Sequence, residues 1–282
     1  MKKQEIKILI SKFKRIATSH KYNYGHVLVI AGSKTMPGAG FLSCLGALRA
    51  GAGLVTYAVK EEFLTQVCAI SNPEIMFFVY KTAYDIIEFI NSRKISSIVI
   101  GPGLKEDSNI LRRFIIKIIS LVNIPIILDA AGISCFNGFS DKIKNVKAKL
   151  IISPHLGELS SLLNVSVDTF KNNKEKIVLN FVKNSSLICI LKGYGTLVVS
   201  KNKIYVNDTG TPAMATAGSG DVLSGVIASF INIINDMFDA AKFSVFIHGL
   251  AGELAEKDKG QTGVIASDIA ENICYAIKQL NN

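Results

Sequence analysis

Residues 207–225 have the sequence NDTGTPAMATAGSGDVLSG, and the rest of the chain is best understood outward from this stretch. Gly218 and Gly220 permit backbone turns in which a side chain would clash. The apolar run after them predicts a helix over 222–230, so the glycines lie at a helix N-terminus, where backbone amides and the helix dipole stabilise an anion. Asp221, in the first turn, is placed to take a proton from a hydroxyl group. The alternative is that the glycines only shape a turn and Asp221 only caps the helix.

Strands and helices alternate through the first part of the chain. Helices are predicted at 1–16, 41–50, 61–70, 83–91 and around 110–118. Short apolar, β-branched runs predict buried strands at 26–31, 54–59, 75–80, 97–100, 125–128 and 150–152. This alternation predicts an α/β fold with a mostly parallel sheet and helices on both faces.

The pattern changes after residue 185. Close-set strands at 187–191, 196–200 and 204–206 predict an antiparallel edge of the sheet, and helices are predicted at 219–233, 237–257 and 265–279. No linker divides the chain and no repeat recurs, so we interpret residues 1–282 as a single domain.

Composition limits the class of protein. Apolar residues make up 49% of the chain and charged residues 19%, a balance typical of globular proteins. The five cysteines are widely spaced without a CxxC pair, which argues against a disulfide framework or a zinc site and favours a reducing cytoplasm. Charged residues interrupt any signal peptide after Met1, and the longest apolar stretch, 114–128, is too short and too interrupted to span a membrane.

The formal net charge is +10, which could attract nucleic acid or small anions. The lysines are scattered and are not clustered with aromatic residues, which argues against a nucleic-acid partner. A biased genomic composition would give the same excess, and both explanations stay open.

Polar and glycine-rich segments fall at the predicted strand ends. They are 32–40, 101–103, Asp129, 155–158, 192–196 and 218–221. In an open α/β sheet the ligand lies outside the carboxyl ends of the strands, so these segments predict one small-molecule crevice. The spacing of the glycines fits neither a P-loop nor a dinucleotide fingerprint.

Several of these segments also have a purely structural interpretation. Gly38, Ala39 and Gly40 could serve close helix packing as well as ligand contact. Glu158 could stabilise a helix start or hold magnesium through water. Lys192 could be solvated or could meet a phosphate. Asp129, at a strand end, could likewise be structural or could contact the ligand, and we leave its role open.

Several segments, in one order along nearly the whole chain, resemble the ADP/ATP-dependent NAD(P)H-hydrate dehydratase family of the ribokinase-like superfamily. They are GSKTMPGAG and ALRAGAGLVT within 32–56, IGPGL at 100–104, ILDAAG at 127–132, SPHLGEL at 153–159, LKGYGTLV at 191–198 and TPAMATAGSGDVLSG at 211–225. ATAGSGDVLSG indicates the superfamily, and SPHLGE together with it indicates the dehydratase.

The resemblance implies a ribokinase-like fold and a metabolite-repair lyase. Such enzymes act on the S-epimers of NADHX and NADPHX, the hydrated forms of the reduced nicotinamide cofactors. ADP or ATP phosphorylates the added hydroxyl group, and phosphate then leaves to restore the ring double bond.

The resemblance also implies a role for each matching residue. Asp221 is the expected base, and Gly218 and Gly220 hold the charge on the transferred phosphoryl group. The expected substrate contacts are Ala39, Gly40, Gly103, His155 and Asp221. The expected contacts to the adenine nucleotide are Lys192, Gly193, Tyr194, Gly195, Thr196 and Gly220. Glu158 is expected to help place Mg2+.

The chain departs from the family pattern at a few positions. Thr211, Ala213 and Ala217 stand where the family often has Asn, Gly and Gly, and the added Cβ of Ala217 could lower activity mildly. No epimerase domain precedes the dehydratase, so a partner epimerase is expected as a separate chain, if it exists. A homo-oligomer is expected by analogy alone.

Two other functions compete with the dehydratase. A small-molecule kinase of the same superfamily, acting on a vitamin-precursor alcohol, would use the same acid beside the same glycines, but SPHLGE favours the dehydratase. A non-catalytic nucleotide-binding protein is the third possibility, and the presence of Asp221 counts against it.

Overall fold

The computed structural model describes residues 1–144, 146 and 148–281. Within this part of the chain, nine strands form one sheet in the order β3-β2-β1-β4-β5-β6-β7-β8-β9. The strands are β1 (His26–Ile30), β2 (Leu54–Val59), β3 (Met76–Val79), β4 (Ser97–Ile100), β5 (Ile126–Leu128), β6 (Leu150–Ile152), β7 (Ile188–Leu191), β8 (Leu197–Val199) and β9 (Ile204–Val206). Strands β1 to β7 pair in parallel, and β8 pairs antiparallel with both β7 and β9. The predicted parallel sheet and its antiparallel edge are therefore confirmed.

Helices cover both faces of the sheet. They are α1 (Lys3–Ile10), α2 (Pro37–Arg49), α3 (Leu64–Ile70), α4 (Ala83–Arg93), α5 (Ser108–Leu121), α6 (Ala131–Ser134), α7 (Asp141–Lys144), α8 (Leu156–Leu163), α9 (Val167–Val182), α10 (Ser219–Ile233), α11 (Met237–Lys259) and α12 (Ala266–Leu280). Short 3-10 helices lie at Ser11–Phe13, Lys21–Tyr24, Glu61–Phe63 and Pro212–Met214. The first predicted helix was too long: α1 ends at Ile10 and only a 3-10 turn follows it.

The core lies in two layers, one on each side of the sheet. Alternate residues of a strand point to opposite faces. In β1, Val27 and Val29 accordingly pack with α2 and α10 to α12, whereas Leu28 and Ile30 pack with α4, α5, α8 and α9. Because both faces are covered, the central strands are mostly apolar, and all five residues of β1 are buried, His26 included.

Helices α2 and α10 approach each other closely on one face. A Cβ at Gly225 would lie 2.8 Å from the backbone nitrogen of Ala47 and closer still to the carbonyl oxygen of Ser43. A Cβ at Gly46 would overlap the carbonyl of Val222. Only glycine fits at these two positions, and the contact fixes where the start of α10 lies relative to α2.

The strand order reverses direction around β1. The chain runs outward from β1 to β2 and β3, then returns to β4 on the other side of β1. Loops that leave β1 and β4 therefore diverge and open a crevice at the carboxyl edge of the sheet. Across it, the amide of Gly32 donates to the carbonyl of Pro102 at 2.8 Å. In the part of the chain that the structure describes, none of the helices has the length and apolar character needed to cross a membrane.

Candidate functional site

The glycine loop 218–220 lies at the start of α10. Gly218 is the N-cap residue with φ +89°, and a Cβ there would lie 3.0 Å from Ala266 Cβ and closer still to Leu42. Gly220 and Asp221 are in the first turn, where the amides of a helix have no intrahelical acceptor. We predicted that all six segments lie at strand ends, and for this loop the prediction is wrong, because residues 207–217 separate it from β9. The helix N-terminus nevertheless faces the same crevice.

Asp221 is an acid whose proton affinity is unusually high. Its side chain is partly buried beside Asp129, Glu158 and Lys192, and the pKa is raised to about 7. Burial is the largest cause, the Asp129 carboxylate adds to it, the Lys192 ammonium opposes it, and Glu158 raises it further. A carboxyl group with a pKa near 7 can accept a proton at neutral pH far better than an ordinary aspartate.

Lys192, immediately after β7, reaches the first turn of α10. Its Nζ is 2.6 Å from Asp129 Oδ1 and would lie 3.2 Å from a Cβ at Gly220. Burial lowers the pKa of Lys192, but the nearby carboxylates of Asp129, Glu158 and Asp221 outweigh burial, so the pKa is raised overall. The ammonium is therefore charged and lies beside the amides that are predicted to hold an anion.

The role of Asp129 was left open by the sequence. In the structure its side chain is buried in this site, and both of its oxygens accept hydrogen bonds. Its side chain is 1% exposed, Oδ1 also accepts the amide of Ala130 at 2.9 Å, and Oδ2 accepts the hydroxyl of Ser224 at 2.7 Å. Ser224 was missed. The signal that could have found it is a serine three residues after Asp221, on the same face of a helix that is otherwise apolar.

His155 and Glu158 form a reciprocal cap at the start of α8. The amide of His155 donates to Glu158 Oε2 at 2.8 Å, and the amide of Glu158 donates to His155 Nδ1 at 3.2 Å. The His155 ring is largely exposed, whereas the Glu158 side chain is mostly covered. This cap accounts for both residues structurally. The amide of Lys192 donates to the carbonyl of Pro154 at 2.8 Å, which places the cap directly beside Lys192.

The donor set does not form a preorganised metal cage. Among the residues that the structure describes, no three His, Cys, Asp or Glu side chains group so as to hold a metal ion. Magnesium commonly keeps several waters and binds one or two carboxylates together with substrate phosphates. The residues present fit an ion of that kind, brought in with phosphates, and do not fit a resident ion.

Ala39, Gly40 and Gly103 lie together on the other side of the crevice. A Cβ at Gly103 would lie 2.8 Å from Ala39 Cβ. Ser43 connects this group to the acid, because its hydroxyl lies 3.3 Å from the carbonyl oxygen of Ala39 and 2.9 Å from that of Asp221. The backbone at Asp221 therefore lies close to the loop that carries Ala39, whereas the predicted substrate residue His155 lies apart from this contact, at the start of α8.

Tyr57, which sequence reasoning missed, packs beneath the loop after β1. Its hydroxyl donates to the carbonyl of Pro37 at 3.0 Å, and a Cβ at Gly40 would lie 2.6 Å from the ring carbon Cε2. Gly40 is buried there, so close packing alone requires a glycine. Ala39 and Gly103 remain at the edge of the crevice.

The segment 192–196 forms the turn between β7 and β8. Gly193 and Gly195 have φ of +143° and +63°, and the Thr196 hydroxyl closes the turn on the carbonyl of Gly193 at 2.9 Å. The ring of Tyr194 is fully exposed. An exposed aromatic ring on a glycine turn, next to Lys192, is suited to a flat heterocycle with phosphates attached.

Known proteins resemble this chain along most of its length. Residues 27–274 match the family model described as NAD(P)H-hydrate dehydratase. The bifunctional NAD(P)H-hydrate repair enzyme Nnr of Dictyoglomus turgidum is 35% identical over 272 residues, which cover 93% of this chain and 52% of that protein. The chain thus spans about half the length of the first curated relatives it matches.

Two further comparisons cover both proteins almost completely. The ADP-dependent (S)-NAD(P)H-hydrate dehydratase of Listeria monocytogenes is 30% identical over 268 residues, which cover 94% of this chain and 92% of that protein. The crystal structure of the ADP/ATP-dependent NAD(P)H-hydrate dehydratase from Bacillus subtilis, co-crystallised with ATP/Mg2+, superposes with a TM-score of 0.82 at 24% identity, covering 98% of this chain and 97% of that one. At that identity, the structural likeness supports the fold alone.

Proposed function

The chain belongs to the NAD(P)H-hydrate dehydratase family, and from this premise we propose that it converts the S-epimers of NADHX and NADPHX back to NADH and NADPH at the expense of ADP or ATP. The observation that carries the proposal is the Asp221 carboxyl group, whose pKa is about 7, beside the first-turn amides of α10 and the Lys192 ammonium. A base, an anion hole and a cation at one crevice are what phosphoryl transfer to a hydroxyl group requires.

The first step is phosphorylation of the added hydroxyl group. Asp221 takes the proton of this hydroxyl group, while the hydroxyl oxygen attacks the terminal phosphorus of the nucleotide. The bond between that phosphorus and the bridging oxygen breaks, and ADP leaves when ATP is the donor, or AMP when ADP is the donor. The amides of Gly220 and its neighbours, with Gly218 fixing the turn, stabilise the charge that develops on the transferred group.

The second step is elimination. The carbon–oxygen bond to phosphate breaks and its electron pair leaves with the phosphate, while the electrons of the C–H bond on the neighbouring ring carbon form the ring double bond. The proton from that carbon passes to the departing phosphate or to water. Phosphate leaves as the dianion or monoanion, and the same amides that held it as an ester help to hold it as a leaving group. Ala39, Gly103 and His155 are proposed to orient the hydrated ring, with Gly40 supporting the loop from beneath.

The adenine nucleotide is proposed to lie against the turn 192–196. Lys192 meets a phosphate, Tyr194 offers a ring face to the base, and Gly193, Gly195 and Thr196 shape the turn. Three carboxylates, those of Asp129, Glu158 and Asp221, surround the ammonium of Lys192, so the immediate surroundings of Lys192 carry more negative than positive charge before a phosphate enters. Magnesium bound to the nucleotide would offset this charge, and Glu158 would contact it directly or through water.

A direct assay tests the proposal. The purified protein is mixed with NADHX and either ADP or ATP in the presence of magnesium, and the absorbance of the reduced nicotinamide is followed. Recovery of that absorbance with release of one phosphate per ring is expected. Asp221→Asn should lower turnover by about 10³-fold while leaving nucleotide binding largely intact, whereas full activity in that variant would remove Asp221 as the base.

The kinase alternative predicts a different product. If nicotinamide absorbance does not recover, and a vitamin-precursor alcohol such as hydroxyethylthiazole becomes phosphorylated instead, the substrate assignment is wrong although the phosphoryl-transfer chemistry is right. Homo-oligomerisation, residence in the cytoplasm and cooperation with a separate epimerase remain predictions. The relatives named as bifunctional repair enzymes support a link to epimerase activity. Sedimentation and a test of R-epimer turnover address the first and last of these predictions.

A further inference from the structure

Both carboxylate oxygens of Asp129 accept hydrogen bonds, three in all, although Asp129 has no assigned role in the reaction. Its carboxylate accepts Lys192 Nζ at 2.6 Å, the amide of Ala130 at 2.9 Å and the hydroxyl of Ser224 at 2.7 Å. At 1% exposure it cannot contact a ligand itself. What it can do is fix the position of Lys192.

The geometry points to Asp129 as a positioning residue that, with Ser224 behind it, holds the Lys192 ammonium against the first turn of α10, where that ammonium meets the phosphates of the nucleotide. This inference rests on the proposed function, because it presupposes that a nucleotide binds beside Lys192.

The sheet explains why Lys192 needs a fixed partner, and we call its bond to Asp129 the tether. Asp129 follows β5 and Lys192 follows β7, so β6 lies between the two strand ends. A lysine side chain has four flexible methylene carbons, and fixing it in one rotamer costs free energy. The charge-assisted bond to a carboxylate that is itself held by two other donors fixes the ammonium before the ligand arrives. Preorganisation of this kind raises affinity because the ordering cost is already met.

The alternative is that the pair only stabilises the fold, and electrostatics separates the two hypotheses. Asp129→Asn removes a negative charge from a crevice that binds a polyanion. If the pair were only structural, loss of that charge would leave nucleotide binding unchanged or strengthen it. If Asp129 positions Lys192, binding weakens in spite of the more favourable charge. The sign of the effect therefore decides.

The experiment measures the Kd of ADP and of ATP, each with magnesium, by titration calorimetry on the full chain. Asp129→Asn should weaken binding by about tenfold. Ser224→Ala, which keeps the charge and removes one bond to Asp129, should weaken binding by a smaller factor. Lys192→Met should weaken it at least as much as Asp129→Asn, and adding Asp129→Asn to Lys192→Met should cause no further loss, because the tether then has nothing to hold.

A matched control comes from a second lysine–carboxylate pair. Lys242 bonds to Glu5 and Asp239, an ion pair that joins α1 to α11 outside the strand-end segments. Glu5→Gln removes one carboxylate from a mostly buried lysine, as Asp129→Asn does, and should change the melting temperature without changing the Kd of either nucleotide.

The outcomes separate the inference from the function. Wild-type protein that binds neither ADP nor ATP overturns the proposed function. Wild-type protein that binds them while Asp129→Asn binds equally well or better overturns the positioning role alone, as would additive losses in the double variant. If Asp129→Asn does not fold, Ser224→Ala decides: unchanged affinity in that variant refutes the tether, and weakened affinity with an unchanged melting temperature supports it.

Discussion

Replacing Asp221 by Asn should stabilise the protein at pH 8 even as it removes the proposed base. The two side chains have nearly the same shape, so the change acts mainly through charge. In the folded protein, burial, Asp129 and Glu158 raise the pKa of Asp221 to about 7, whereas the ordinary value is 3.8. Above pH 7 the folded state must hold an ionised carboxylate that its surroundings disfavour.

The sign and size of the change in the free energy of unfolding follow from proton linkage. Between pH 4 and pH 7 the folded state binds a proton at Asp221 that the unfolded chain has already lost, so the contribution of this group to stability falls as pH rises. A difference of about three pH units corresponds to about 4 kcal/mol. Asp221 is partly exposed and solvent screens its charge, so we take about half, ~2 kcal/mol, as the expected gain at pH 8. For a chain of this size that gain is about 4 °C in melting temperature.

The assay is a pair of melting curves at matched ionic strength. At pH 4.5 Asp221→Asn should melt only about 1 °C above wild type, and at pH 8 it should melt about 4 °C higher. Asp85 is the matched control, because it also lies in a first helical turn, but the backbone amides of Lys81 and Thr82 lower its pKa. Asp85→Asn should therefore destabilise above pH 4. Equal melting temperatures of wild type and Asp221→Asn at pH 8, or the same gain at both pH values, would refute the reasoning.

Four more outcomes are expected. The kcat/KM of the wild-type enzyme should rise about tenfold per pH unit below pH 7 and level off above it, because only the ionised form of Asp221 accepts a proton; a profile that is flat from pH 5 to 8 contradicts this. Gly218→Ala forces a side chain into φ +89°, so turnover should fall and stability should drop by about 1–2 kcal/mol, as activity assays and melting curves would report. Gly225→Ala drives a methyl group into the carbonyl of Ser43 and should cost about 1–3 kcal/mol, whereas an unchanged melting temperature would contradict the close helix contact. Burial lowers the pKa of the His248 ring to about 4. The contribution of the neutral ring to stability is therefore present above pH 6.5 and is lost, by up to about 3 kcal/mol, as the pH falls toward 4. In melting curves across this pH range, His248→Gln should show a weaker dependence of stability on pH.

The fold was predictable because its signals are local. Short β-branched runs gave the strands, since a sheet covered on both faces needs apolar residues on both. The close spacing of the strands after residue 185 indicated the antiparallel edge, and β8 and β9 pair as expected. The prediction of a helix over 1–16 was wrong at its end. The helical spacing of polar residues continues beyond Ile10 in the sequence, but the backbone there forms a 3-10 turn.

The network beneath the site was not predictable in the same way. The bond between Lys192 and Asp129 depends on two strand ends that are 63 residues apart in the chain but close in the sheet. The contact of Tyr57 with Gly40 likewise depends on the distance between α2 and β2. Strand-end position brought these residues to one edge, but which side chains touch is set by distances that no local pattern encodes.

The charges of this crevice work against each other, and the opposition explains the arrangement. A helix N-terminus ordinarily favours an ionised carboxylate, yet burial and two further carboxylates raise the pKa of Asp221 to about 7. The carboxylates that make Asp221 a better base also repel a phosphate. One lysine cannot offset all of them, so on the proposed function a divalent cation that arrives with the nucleotide and an ammonium held in a fixed place would serve the same need. Asp129 adds to the repulsion, and two effects set against it are the higher proton affinity that it gives Asp221 and, on the inference above, the fixed position of Lys192.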